Sequence, residues 1–258
     1  MNQLSDMVWI ESRKALRSRI PFFTSLAALF MSLGVAFLIF ISKDPELARK
    51  LGLISAKANL MAGAATDWPT YLGLVAQMIA LGGLFLFILI VSWVFGREFA
   101  DGTLKDMLAV PVPRASILLA KFIVAAVWSA ALAALILVAG LVMGAAIELP
   151  GGSPALLLQG TGLVAVTAGL VIAVVLPFAL LAGVGRGYLL PLGVAFLALL
   201  TANLVAVAGW GEYFPWAVPV QFAQGSKLAP VSYWIVVVTG ILGVVGTVVW
   251  WKYADQSV

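Results

Sequence analysis

Residues 70–95 read TYLGLVAQMIALGGLFLFILIVSWVF, and no charged side chain interrupts them. A helix needs about 20 mostly apolar residues to cross the roughly 30 Å of hydrocarbon in a bilayer, and this stretch has them. Its apolar residues are continuous rather than alternating with polar ones, so it reads as a helix and not as the strand of a membrane barrel. Five further segments pass the same test, placing spans near residues 22–41, 70–95, 117–147, 156–182, 188–209 and 231–251. The third is too long for one straight crossing and is expected to tilt or project beyond the bilayer. The predicted fold class is an all-α integral membrane protein, a single transmembrane domain over residues 1–258.

Composition agrees. Of 258 residues, 63% are hydrophobic and 10% charged, against roughly 25% charged in an average soluble domain; the mean hydropathy is +1.12. The chain holds 15 Lys+Arg and 11 Asp+Glu, nearly all of them between the apolar runs, and it has no Cys and no His. That composition excludes disulfides, thiol nucleophiles, Cys/His metal sites and a Ser-His-Asp triad. The net charge of +4 bears on membrane orientation rather than on nucleic acid, which is not an expected partner. With the amino terminus inside, Arg13, Lys14, Arg17, Arg19, Arg97, Lys105, Arg114, Lys121, Arg186 and Lys252 fall on the cytoplasmic side. Lys43, Arg49, Lys50, Lys57 and Lys227 fall outside. Ten against five predicts both termini in the cytoplasm.

Three segments outside the spans carry structure of their own. Residues 1–21 are read as an interfacial helix over 4–19, anchored in headgroups by Trp9 and the basic cluster, with Leu4, Val8 and Leu16 recurring at helical spacing; a solvated basic tail is the plain alternative. No small-residue cleavage pattern follows the first apolar run, so a signal peptide is not expected. In the outer loop 42–69, Asp44-Pro45 reads as an N-cap and N1 proline. Leu47, Leu51, Ile54, Ala58 and Met61 then mark the apolar face of an external helix, either a cover or a gate. Residues 210–230 combine Trp210, Tyr213, Phe214, Trp216 and Phe222 with Pro215, Pro219 and Pro230. They read as a broken segment re-entering the outer leaflet or as an aromatic belt.

None of the six runs has an ionisable residue near its middle, and Lys121, close to a span end, is expected to snorkel to the interface. Ion-coupled carriers and intramembrane hydrolases place such groups at mid-membrane, so neither is favoured and no catalytic residue is assigned. Single Ser and Thr hydroxyls are expected to bond back to their own helices. Gln77 and Asn203 are costlier in lipid and are expected to face a neighbouring helix or a pathway. Gly140-x-x-x-Gly144 and Gly240, Gly243, Gly246 offer close-packing surfaces. The chain has no G-x-x-x-x-G-K-[ST] loop and no ATP site of that kind.

The segment FGREFADGTLKDMLAVPVPRASILLAK, residues 95–121, differs in kind from the runs around it. The second helix continues through Arg97, Glu98 and Phe99, and Asp101-Gly102 ends it. Thr103 is a cap for a short helix, with Asp106 three positions on, and Leu104, Met107 and Leu108 give it an apolar face. Pro111 and Pro113 stop it, and Ser116 is expected to cap the third span. A capped helix of this kind, held in segment 96–116 between two spans, is a lever.

This stretch resembles the E-x-x-x-G-T-L-x-x-L-L-x-x-P-x-x-R signature of type-2 ABC transporter permeases. Glu98, Gly102, Thr103, Leu104, Leu108, Pro111 and Arg114 match it, and Met107 takes the first of the paired leucine positions. In size and architecture the chain is similar to the small bacitracin-resistance and lantibiotic-immunity permeases, from whose compact members the larger outer loop departs. The resemblance implies a half-transporter that pairs with a second permease copy or homologue in the cytoplasmic membrane. A separate P-loop ATPase subunit, carrying the ATP and Mg, would be contacted through residues 103–110. No cofactor is implied in this chain. Glu98 would orient the end of the second span and Arg114 would touch headgroups or the ATPase. The apolar spans suit an amphipathic or hydrophobic cargo, such as an antimicrobial peptide, drug or lipid-like molecule. A non-transporting anchor or sensor that recruits a cytosolic partner is the alternative.

Overall fold

Lipid offers no partner to a backbone N–H or C=O, so each apolar run must close its own hydrogen bonds as a helix. The structure, a computed structural model, describes residues 3–43, 66–104 and 111–253. Six of its helices are long and apolar enough to cross a membrane: Ile20–Lys43, Trp68–Ala100, Arg114–Ala146, Pro154–Val184, Leu189–Val207 and Pro230–Tyr253, here the first to sixth spans. They coincide with the six runs read from the sequence, differing by a few residues at the ends. No strand occurs among the described residues. The expected outer helix beyond Asp44-Pro45 lies outside them.

The second span is the centre of the bundle, with Tyr71, Leu72, Val75, Ile79, Phe87 and Phe95 fully buried. Its helix widens into a π turn at Ile79–Gly83. The third span lies against it through the small residues at 140 and 144. The Tyr71 hydroxyl donates to the Gly140 carbonyl at 3.0 Å. A Cβ on Gly144 would stand 2.7 Å from the Trp68 ring, so only glycine admits that approach. Thr24, Thr161, Thr167, Thr201 and Thr247 bond carbonyls of their own helices as expected, whereas the buried hydroxyls of Ser92 and Ser129 have no hydrogen-bond partner among the described residues. Ser32 adds a bond to the third span, at Ile136 O.

The fourth span is broken where Pro177 has no N–H to donate. The break frees the Val174 carbonyl, and the Trp216 indole N–H takes it at 3.0 Å. Trp216 brings its segment with it. The short helix Val218–Ala223 packs on the second and fourth spans, with Ala217, Val218 and Ala223 buried. Of the two readings of residues 210–230, the structure therefore has the chain folding back into the bundle, while Trp210 and Tyr213 stay exposed. The sixth span closes on the same break: a Cβ at Gly243 would lie 2.5 Å from the Pro177 nitrogen.

Ahead of the spans, Gln3–Arg17 forms a helix whose buried residues are Met7, Glu11 and Ala15, a row spaced by four. Met7 packs with Ile117 and Ala120 at the start of the third span. Of the apolar residues read at helical spacing, Leu4 and Val8 pack beside this row, while Leu16 is 76% exposed. Docking selects the row that carries Glu11, whose carboxylate bonds Lys14 and Lys121.

Candidate functional site

The second span ends as its sequence requires. Gly102 adopts φ +69 and follows the cap residue Asp101. The Thr103 N–H reaches the Glu98 carbonyl at 3.0 Å and the Gly102 N–H reaches Phe99 O at 3.4 Å. This paired closure of a helix end depends on a residue that tolerates the left-handed conformation. Leu104, the last residue described on this side of the segment, is helical and buried. Met107 and Leu108 lie outside the described residues, as does Asp106. Pro111 and Pro113 precede the third span, which starts at Arg114 with Pro113 in the cap position. Ser116 is therefore inside the first turn and caps nothing, contrary to expectation, because a proline already fixes the entry backbone.

One turn before that closure, Glu98 is buried. Its Oε1 accepts from Lys121 Nζ at 2.7 Å and from Lys14 Nζ at 3.4 Å. Lys121 also reaches Glu11 Oε2 at 3.3 Å, and Lys14 reaches Glu11 Oε1 at 2.7 Å. The four side chains thus form a closed ring in which carboxylates and ammonium groups alternate, with no net charge. The amino-terminal helix supplies two members, and the second and third spans one each. Lys121 further donates to the Val94 carbonyl at 2.7 Å. It is fully buried, so it does not snorkel to the interface as the sequence suggested. Two carboxylates and a carbonyl offer it more than water at the membrane edge would. Glu98 Oε2 has no hydrogen-bond partner.

Burial pulls the Lys14 ammonium toward neutrality, but its hydrogen bonds and attraction to Glu11 and Glu98 outweigh that, and its pKa lies above the ordinary lysine value. Lys14 therefore stays charged at any physiological pH. Removing one member of a buried ion pair strands the other, at a cost of about 3–5 kcal/mol. The ring consequently ties three helix ends into one unit. A second tie lies beside it: Arg114, exposed at its own helix start, donates to the Trp251 carbonyl at 3.0 Å. It thereby closes the end of the sixth span. Trp251 in turn packs edge-on against Phe99, with ring centroids 5.8 Å apart.

Of the residues singled out from the sequence, the structure gathers Glu98, Gly102, Thr103 and Leu104 at one helix end, with Pro111 and Arg114 leading into the next span. Gln77 stands apart from them, half-buried just before the π turn. Asn203 is exposed, and its amide donates to Leu199 O at 3.2 Å. That bond lies within its own helix. Sequence reasoning missed Glu11 and Lys14 altogether. The usable signal was an acidic residue in register with Met7 and Ala15, on a face that had to be buried.

A family model described as "ABC-2 family transporter protein" matches residues 7–202. The bacitracin transport permease protein of Bacillus licheniformis is 26% identical over 182 residues, which cover 69% of this chain and 88% of that protein. The family match takes in the ring and the glycine closure beside it.

Proposed function

From the premise that this chain belongs to the ABC-2 family of transporter proteins, we propose that it is the permease subunit of an ATP-driven exporter of the cytoplasmic membrane. A separate P-loop ATPase, binding ATP and Mg, docks on the segment after Gly102, and a second permease copy or homologue completes the pathway. Both termini face the cytoplasm. The cargo is amphipathic or hydrophobic, of the kind the relative's name indicates for that protein, an antimicrobial peptide such as bacitracin.

One observation carries this reading. The segment between the second and third spans leaves and enters the bundle at two helix ends locked together by the Glu11–Lys14–Glu98–Lys121 ring. A push on that segment cannot move one span alone. It moves both, and with them the amino-terminal helix, so displacement by an ATPase is delivered to the central helix of the bundle. Glu98 and Lys121 act as positioning residues in this scheme, and Leu104 anchors the near end of the lever.

The test is co-purification in mild detergent followed by reconstitution. A P-loop ATPase should be recovered whose turnover rises with this chain and with bacitracin-like peptides. Leu104→Asp should abolish both recovery and efflux. Repeated recovery of the chain without any nucleotide-binding partner would sink the proposal.

A further inference from the structure

The side of the amino-terminal helix that faces away from its buried row borders a cavity of about 430 Å³, lined by Trp9, Ile10, Arg13, Lys14, Arg17, Ser18 and Arg97. Four cationic side chains from two separate elements line it, and no acidic one does. Three nearby carboxylates are already engaged: Glu11 and Glu98 belong to the ring, and Asp101 holds Arg97 at 3.2 Å. Asp6 lines the adjoining hollow with Trp9 and Ile10 and not this cavity. Lys14 is matched by the ring as well. Arg13 lies 4.6 Å from the Trp9 ring centre. Neither Arg13 nor Arg17 has a carboxylate partner among the described residues. Two guanidinium groups thus remain uncompensated at the mouth of a cavity whose far wall is Arg97.

Arg97 is itself held in place. Its guanidinium lies over Trp93 at 5.1 Å and donates to the Lys14 carbonyl at 3.5 Å. Guanidinium groups fixed on aromatic faces present planar donor pairs that suit a phosphate. The rest of the lining sets the source of that phosphate. Trp9 is 59% exposed and Ile10 is exposed beside it, while Leu16, Phe22 and Phe23 are also exposed nearby in the chain. An exposed apolar and aromatic border around a basic cavity fits the boundary between headgroups and hydrocarbon. A soluble anion or an acidic protein surface has no use for it.

We propose that this cavity binds the phosphate of an anionic phospholipid, which bridges Arg13 and Arg17 of the amino-terminal helix to Arg97 of the second span. A bound headgroup would hold that helix against the second span beside the ion ring, with which the cavity shares Lys14. The inference stands apart from the transport reading, because the assay needs neither ATP nor a partner subunit.

The experiment is native mass spectrometry of the full chain in mild detergent, titrated with phosphatidylglycerol or phosphatidylcholine of the same acyl chains. Near a membrane surface each basic residue contributes on the order of a tenfold or smaller factor, so phosphatidylglycerol should be retained roughly tenfold more tightly or better. Arg13→Gln with Arg17→Gln should remove the preference, and Arg13→Lys with Arg17→Lys should keep most of it. An unchanged melting temperature in the glutamine variant confirms that folding is intact. Equal retention of the two lipids, or a glutamine variant that keeps the preference, overturns the proposal. So does displacement of the lipid by inorganic phosphate at matched concentration, which would make soluble phosphate the ligand. Loss of ATPase recovery in the glutamine variant with lipid retention unchanged would assign the cavity to a protein and likewise overturn it.

Discussion

The two ends of the bundle are built from different materials. At one end Glu11, Lys14, Glu98 and Lys121 hold three helix ends by charge, and Arg114 adds a fourth helix through the Trp251 carbonyl. At the other, neutral and aromatic contacts dominate. Trp68 fills the space left by Gly144, and its N–H reaches the Pro150 carbonyl at 3.1 Å. Lys43, a cation at this end, bonds the carbonyls of Ile147 and Glu148. Packed rings and glycines hold one geometry and resist any other. Opposed charges a few ångströms apart, on side chains with free rotamers, can keep their partners through a small shift. The charged end is suited to move and the aromatic end to stay.

The largest expected effect breaks the charged end. Lys121→Met leaves Glu11 and Glu98 buried with only Lys14 between them, and stability should fall by about 3–5 kcal/mol. Adding Glu98→Leu to it removes the stranded charge, and thermal unfolding should recover much of the loss. Peptide efflux from cells should fail in both variants if the ring transmits motion. Recovery of efflux along with stability in the double variant would reduce the ring to a structural device.

The matching change at the aromatic end is Gly144→Val. Its branched side chain must displace the Trp68 ring, and overpacking of this kind costs about 1–3 kcal/mol. Here the comparison predicts a loss of folded protein but normal efflux per folded molecule, measured against membrane abundance. A specific efflux defect would show that the aromatic end also moves.

These two sites were unequally legible in the sequence. The spans were readable because lipid demands the same thing of every residue in a run, and composition alone reports it. The closure at Gly102 was readable because a local backbone rule produces it. The ring was not, because Glu11 and Lys121 meet across 110 positions and each looks ordinary in its own segment. Lys121 looked like a snorkelling residue for want of a visible partner. Nor could the sequence pair the Trp216 indole with the Val174 carbonyl, since that acceptor exists only after Pro177 has broken the helix.

A smaller effect separates the ends by pH. Asp67 caps the second span at the aromatic end, accepting from the Thr70 N–H at 3.0 Å. Hydrogen bonding to Thr70 holds its carboxyl below the usual aspartate value. A depressed carboxyl contributes stability above the ordinary aspartate range and loses it as the pH falls through its own lower pKa. Asp67→Ala should cost about 1 kcal/mol near neutrality, and the gap from the parent should close in acid. A gap that persists at the lowest pH tested would mean that the cap is not the carboxylate.

The smallest expected effects are gains. The third and fourth spans end in the same paired closure as the second, but with Glu148 (φ 55) and Arg186 (φ 50) where the second span has glycine. Left-handed backbone costs a non-glycine residue roughly 1–2 kcal/mol, partly offset by the entropy that glycine loses on folding. Glu148→Gly and Arg186→Gly should therefore each raise stability by up to about 1 kcal/mol, read as a higher melting temperature. The two differ in what they touch. Glu148 is at the aromatic end, where Lys43 bonds its carbonyl, a group that glycine keeps. Arg186 is at the charged end, in a turn whose Gly187 backbone lies against Gly96 of the second span, 3.1 Å from where a Cβ would be. Relief of strain in that turn lets its backbone settle differently against the helix that carries Glu98. Efflux should be unchanged by Glu148→Gly and lowered by Arg186→Gly despite its added stability. If both variants transport normally, strain at the charged end serves no motion and the division of the molecule rests on the ring alone.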